Sequence, residues 1–259
     1  NANGLLGITR TAEANFDMSF FNLHKTFGAP HGCGGPATGM VAARRELRPY
    51  MPVPLVEYSP EKGYYLDFDL PKSCGKIKSF WGVAPVVVKA YSWIMTLGAD
   101  GLREVSRVAI LNNNYCMKKI LAIRGASISF PHHPSRIEQA RYSWQKLKEE
   151  TGFGTADVQR CCADFGTHYW SSHEPFVIPE PFTIEPSESY SKQDIDDYTA
   201  VLAEISRMCY EEPEAVKAAP VNSTVHHIDH DYFDDPAKYA ITWRAYNKKY
   251  TGYFEPKKD

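Results

Sequence analysis

Apolar residues fall into short runs in the first third of this chain and into helical stripes in the remainder. Phe16 to Phe21 is a compact apolar run that reads as a short buried strand. Gly39-Met40-Val41-Ala42-Ala43, bounded by glycine and by Arg44-Arg45, reads as a second. Pro49, Pro52, Pro54 and Pro60 rule out a long helix between Arg48 and Lys72, where Gly63 to Asp69 fits an irregular hairpin or lid. Ser79 to Leu97 is largely apolar, with Val86, Val87, Ala90, Tyr91, Ile94 and Met95, and its length predicts a buried helix that Gly98 breaks. A second helix, from about Gly101 to Arg124, carries Leu102, Val105, Ala109, Cys116 and Ile120 along one face.

Downstream the pattern alternates. Ala126 to Phe130 reads as a short strand, and the polar stretch Ser135 to Glu150 as helical. Thr155 is a suitable N-cap for an amphipathic helix to Phe165, with Val158, Cys161, Cys162 and Phe165 on one side and Gly166 at its end. Phe176 to Ile184 is a strand interrupted by prolines, which places it at a sheet edge. Ser191 predicts another N-cap, followed by a stripe of Ile195, Tyr198, Leu202, Ile205 and Cys209. This alternation predicts a small α/β domain. Residues 221–259 show little periodicity and read as an irregular extension over a surface or a partner.

Charge narrows the function classes. Twenty-nine basic residues against 31 acidic ones leave no basic excess to suggest nucleic acid. Apolar stretches such as Val83 to Ala90 are too short to span a bilayer, and no secretory signal opens the sequence. Six scattered cysteines make no Cys-x-x-Cys pair, which favours a reducing compartment. His226-His227-x-Asp229-His230-Asp231 has zinc-type ligands, but the spacing is no standard site and no metal is assigned to it.

The chemistry concentrates at Asn22-Leu23-His24-Lys25-Thr26-Phe27-Gly28-Ala29-Pro30-His31-Gly32-Cys33-Gly34-Gly35-Pro36. Lysine at the end of a buried strand is desolvated, gives up a proton readily and attacks a carbonyl. Pyridoxal 5'-phosphate is the commonest carbonyl cofactor that such a lysine holds. His24 and His31 flank it and can orient a cofactor, shuttle a proton or serve as hydrogen-bonded structural histidines. Thr26 offers a hydroxyl for a phosphate oxygen or for its own loop, and Gly32, Gly34 and Gly35 allow close backbone approach.

The whole string closely resembles the lysine segment of the glycine cleavage system P-protein family, with Cys33 in place of a glycine. The likeness continues in Tyr65-Leu66-Asp67-Phe68 and Pro71-Lys72-Ser73, in Thr96-Leu97-Gly98, in Asn112-Asn113-Asn114-Tyr115 and in Ile184-Glu185-Pro186 through Ser191-Lys192. It departs at Gly82-Val83-Ala84-Pro85, where the family has Gly-Asn-Phe-Gly. The resemblance implies the C-terminal part of a fold-type-I pyridoxal-phosphate transferase: the end of the large domain (1–97), a small α/β domain (98–220) and the extension (221–259). It implies Lys25 as the Schiff-base lysine, Lys25 and His24 as catalytic, Thr26 and His24 as cofactor-binding, and His31, Gly32, Gly34 and Gly35 as substrate-binding. The implied reaction is decarboxylation of glycine with transfer of the aminomethyl group to the lipoyl arm of H-protein. Alternatives are another fold-type-I enzyme acting on a different amino acid, or a non-catalytic subunit. Strands expected ahead of the lysine are not in the sequence, so the N-terminal half, or subunit 1, is the expected partner. The expected location is the cytoplasm, or the mitochondrial matrix in a eukaryote.

Overall fold

The computed structural model describes residues 1–32, 37–77, 82–170, 177–224 and 226. Strand β1 (Met18–Asn22) pairs antiparallel with β2 (Gly39–Ala43), Phe20 opposite Val41 and Phe21 opposite Met40. A 3-10 turn (Arg45–Tyr50) leads to a hairpin of β3 (Leu55–Ser59) and β4 (Gly63–Asp67). Helix α1 (Ala84–Ile120) follows, kinked at Gly98, whose φ of 62° is non-helical. Next come β5 (Ser127–Ile128), β6 (Ala140–Ser143), α2 (Gln145–Thr151) and α3 (Thr155–Asp164). The chain then runs through β7 (Pro181–Ile184), α4 (Lys192–Glu211) and α5 (Pro213–Ala218). The sheet order β5-β6-β7 leaves β7 on an edge, as its prolines predicted.

Two compact units result. The first comprises 1–122, 128–142 and 183–199. The second takes the described residues of 123–127, 143–182 and 200–259. Helix α1 passes through the expected boundary at residue 97 without leaving the first unit.

In the first unit, Ala2, Leu23, Phe27, Ala29, Val86 and Ala90 form a buried apolar cluster, with Phe21, Trp93 and Ile94 packed against it. Phe27 meets Phe21 and Trp93 edge to face, at centroid distances of 6.3 and 6.0 Å. Val105, Ala109, Cys116 and Ile120 are buried, so the stripe predicted for the second half of α1 is its packed face. Two expectations fail here. The expected strand 16–21 is not buried: Phe16 and Phe20 are 61% and 63% exposed, because among the described residues β1 pairs with β2 only and Phe21 is its side chain packed against the cluster. The start of α1 is buried only at Val86 and Ala90, whereas Val87, Tyr91 and Met95 form a second, exposed stripe at i, i+4 spacing. The departure at Gly82–Pro85 serves the helix start: Val83 takes the cap position through its backbone carbonyl alone, and a proline occupies the first turn, where its missing N–H costs nothing.

The core of the second unit is aromatic. Trp144 stacks on Phe182 at 4.8 Å, and its indole N–H donates to the Tyr169 hydroxyl at 3.0 Å. Leu147, Val158, Leu202, Ile205 and Val216 complete it. The predicted helix 135–150 is partly wrong: Ala140–Ser143 is strand β6, because Ala140 and Tyr142 alternate into buried positions. Thr155 is not the cap of α3. Its hydroxyl donates to the Pro181 carbonyl, and the Asp157 carboxylate reaches back to the Gly154 N–H instead. Phe165 is 43% exposed and lies off the buried face. Ser191 does cap α4, exchanging hydrogen bonds with Asp194. Cys161 is pushed up to about 11, and Cys162 and Cys209 to about 12, chiefly by burial, which leaves these thiols unreactive.

Replacing Phe182 by alanine removes a fully buried ring stacked on two others, and is expected to cost about 3–5 kcal/mol of stability. Val177→Ala, at a position 90% exposed, is expected to stay within about 0.5 kcal/mol. Urea denaturation of both variants measures the contrast.

Candidate active site around Lys25

The loop after β1 alternates buried and open positions. Leu23, Thr26, Phe27 and Ala29 face inward, and Lys25 and Gly28 face out. Backbone bonds close it: Leu23 N–H donates to the Thr38 carbonyl at 3.0 Å, and Ala29 N–H to the Leu23 carbonyl at 3.2 Å. Gly28 has a φ of +68°, and a Cβ there would stand 3.3 Å from Trp93. The left-handed turn therefore needs glycine on both counts. Lys25 is exposed, not held in the desolvated strand end that the sequence suggested, because β1 itself is open. Its amine makes no hydrogen bond or ion pair among the described residues.

That amine borders a cavity of about 370 Å³ in the first unit, shared with Thr26, Gly28 and Trp93 from the lysine side. Asn1 and Asn3 contribute from the start of the chain, and Glu185, Ser187, Glu188, Ser189 and Tyr190 from the loop between β7 and α4. A chain of hydrogen bonds joins the walls. The Thr26 hydroxyl donates to Asn3 Oδ1 at 2.7 Å and accepts the Ala2 N–H at 2.9 Å. Asn3 Nδ2 donates to Glu185 Oε1 at 2.9 Å, and the Asn1 amide donates to the same oxygen. Asn112 Nδ2, on α1, donates to the Ser187 and Tyr190 carbonyls, both at 2.9 Å, and so fixes the far wall. Asp196 ties the first turn of α4 to the same helix, accepting from the Tyr115 hydroxyl at 2.5 Å and pairing with Lys119 at 3.0 Å.

The site residues expected from sequence thus separate. Lys25 and Thr26 line the cavity, though the Thr26 hydroxyl proton is committed to Asn3. His24 and His31 lie outside its lining and meet each other edge to face at 4.8 Å, with His24 Nδ1 3.2 Å from the Thr38 carbonyl oxygen. Gly32 has a φ of 56° and also lies outside the lining. Cys33, Gly34 and Gly35 lie outside the described residues, as do His227, Asp229, His230 and Asp231. No cluster with metal-binding geometry occurs among the described residues. Asn3, Asn112, Trp93, Glu185 and Glu188 were not singled out as site residues. Asn112 lies 75 and 78 residues from its partners, a separation that no local pattern encodes.

Residues 105–230 match the family model described as glycine dehydrogenase, C-terminal domain. Over 249 residues the chain is 43% identical to the probable glycine dehydrogenase (decarboxylating) subunit 2 of Pyrococcus abyssi, covering 96% of this chain and 49% of that protein. The corresponding protein of Thermotoga maritima is 38% identical over 229 residues, covering 88% and 47%. The chain therefore spans about half the length of the curated relatives it matches. A crystal structure of glycine decarboxylase (P-protein) of the glycine cleavage system, in inhibitor-bound form, superposes with a TM-score of 0.65 at 18% identity, covering 77% of this chain and 46% of that one. The apo cysteine desulfurase of Thermococcus onnurineus gives 0.56 at 16% identity, covering 79% and 50%. At these identities the likeness shows the fold, the mixed α/β arrangement of fold-type-I enzymes. No helix among the described residues is long and apolar enough to cross a membrane.

Burial raises the Glu185 carboxyl above the ordinary range, and Glu138 adds to the shift while Lys25 opposes it. The folded chain therefore holds this proton to higher pH than the unfolded chain. The stabilisation is complete below the ordinary value of 4.5 and is lost as pH rises through the folded value. Glu185→Gln removes the dependence. Its melting temperature is expected to rise relative to the natural chain as pH increases from 4.5 to 7, a comparison made by thermal scans at each pH.

Proposed function

We propose that the chain belongs to the glycine dehydrogenase (decarboxylating) family and is the lysine-bearing half of a pyridoxal-phosphate-dependent glycine decarboxylase. The observation that carries this reading is Lys25: an amine with no hydrogen bond or ion pair among the described residues, on a loop fixed by buried residues, at the edge of a cavity of about 370 Å³. That volume falls within the roughly 300–1,000 Å³ typical of small-molecule sites. The donor set fits the cofactor, since a free amine is what its aldehyde requires. When bound, pyridoxal phosphate supplies an electron sink for the loss of a carboxylate as carbon dioxide.

The chain's own residues divide the remaining work. Lys25 holds the cofactor and, when released, carries a proton at Nζ. Trp93 and Gly28 shape one wall and exclude water from it. Thr26 holds the loop through Asn3, and its backbone N–H is proposed to meet a phosphate oxygen. His24, with Nδ1 3.2 Å from the Thr38 carbonyl oxygen, is proposed to serve as a proton acceptor through its other ring nitrogen. His31, Gly32, Gly34 and Gly35 are proposed to approach glycine. The exposed apolar side chains of β1 and β2, Met18, Phe20 and Val41 among them, are proposed to meet the N-terminal half or subunit 1, which completes the pocket. Lipoylated H-protein is the proposed acceptor of the aminomethyl group, in the cytoplasm or in the mitochondrial matrix of a eukaryote.

Borohydride reduction after incubation with pyridoxal phosphate is expected to label Lys25 in the assembled protein, located by peptide mass mapping, and to leave Lys25→Ala unlabelled. Exchange of carboxyl-labelled glycine with carbon dioxide, with H-protein present, is expected to fall to background in the same variant. Labelling at a different lysine, or undiminished exchange, would refute the assignment.

A further inference from the structure

Asn3 is a buried polar residue whose amide is engaged at both ends. Its Oδ1 accepts the Thr26 hydroxyl proton at 2.7 Å, and its Nδ2 donates to Glu185 Oε1 at 2.9 Å. The order of these bonds is forced. A hydroxyl can give or take a proton, but an ionised carboxylate only accepts, so the amide nitrogen must point at Glu185 and the amide oxygen at Thr26. The Thr26 oxygen in turn takes the Ala2 N–H at 2.9 Å. Every donor in this row points one way, toward Glu185. The backbone that carries Asn3 is itself fixed. Ala2 lies in the apolar cluster, the Leu5 and Leu6 N–H groups donate to its carbonyl, and a Cβ on Gly4 would run into Ile137. The Lys25 amine borders the cavity and takes no hydrogen bond or ion pair among the described residues, so it stands where its neighbour Thr26 puts it.

We propose that Asn3 and Glu185 are positioning residues for Lys25. The Asn3 amide ties the residue beside the lysine to a carboxylate 182 residues further along the chain than Asn3, and so sets where the amine stands at the cavity edge. The tie depends on direction, which a space-filling role would not. Asn3→Asp puts an acceptor against Glu185 in place of a donor, and two carboxylates at that distance repel. Adding Glu185→Gln returns a donor from the other side of the same contact and restores the net charge of the natural chain. Asn1, which is exposed, can turn its amide over to accept from it. Glu185→Gln alone keeps an oxygen for the Asn3 N–H and leaves the direction of the row intact. The inference rests on the reading of Lys25 above only in treating that amine as the group whose placement matters.

The test is competitive acetylation of the assembled protein without cofactor, by trace acetic anhydride at pH 8. Labelling of Lys25 is read by peptide mass mapping as a ratio to Lys89, which is exposed on α1. Asn3→Asp is expected to lower the ratio about fivefold, because the loop loses its tie and the amine faces two carboxylates that favour its charged, unreactive form. Glu185→Gln and the double variant are both expected to stay within about twofold of the natural protein, the non-additivity of residues in one network. If wall charge alone governed the amine, Glu185→Gln would raise the ratio as far as Asn3→Asp lowers it. That result, equal ratios in all four folded proteins, or a double variant no better than Asn3→Asp would each overturn the proposal. Where Asn3→Asp fails to melt cooperatively, the double variant decides: a folded protein with the natural ratio supports the proposal, and a low ratio or an unfolded chain overturns it. The expected pattern in a protein that pyridoxal phosphate and borohydride do not label at Lys25 would uphold the positioning role while refuting the cofactor reading.

Discussion

The hydroxyl of Thr26 gives its proton to Asn3 and takes the amide of Ala2, and Asn3 passes the connection on to Glu185. These bonds are part-buried or buried, where an unmade bond is expensive and a made one is rigid. Their effect is to fix the residue after Lys25 while the lysine amine takes no hydrogen bond or ion pair among the described residues. On the proposed reading the amine meets an external carbonyl, and its position is enforced through the backbone on either side. Leu23, Phe27 and Ala29 do this by burial, and Thr26 does it by hydrogen bonding.

The opposite wall is built by the same logic from a distant part of the sequence. Helix α1 carries Asn112 and Tyr115 one turn apart. The first holds the carbonyls of the β7–α4 loop, and the second holds Asp196 in the opening turn of α4. Each tie is polar and specific in direction, which suits a loop that must present side chains to a cavity instead of burying them. Asp196 is held well below the usual carboxylate range by the Lys192, Tyr115 and Lys119 donors around it, so it stays an acceptor under ordinary conditions.

The β1–β2 ribbon is the least self-sufficient part of the chain. Two strands cannot bury both faces, and an isolated pair is marginal in water. Phe21 reaches the apolar cluster from one face, while Phe20 and Val41, opposite each other in the register, stay exposed on the other. This surface lies next to the lysine loop, in a span about half as long as the related proteins. The proposed partner half gives that surface an apolar neighbour.

Local sequence was enough for features whose physics is local. The edge position of β7 follows from its prolines, the start of α4 from Ser191 and Asp194, the break at Gly98 from glycine itself, and the packed stripe of α1 from 3.6-residue spacing. The string around Lys25 was likewise legible by its likeness to a family. Tertiary structure alone decided what touches what. It left β1 open, because burial depends on neighbours and not on composition. It turned Ala140–Ser143 into a strand, because sheet pairing outweighs polar content over so short a stretch. It also brought Asn3, Glu185 and Glu188 into one cavity with the lysine, from positions up to 163 residues away (from 25 to 188), and set Asn112 on the loop that forms the far wall, through hydrogen bonds whose partners no periodicity can announce.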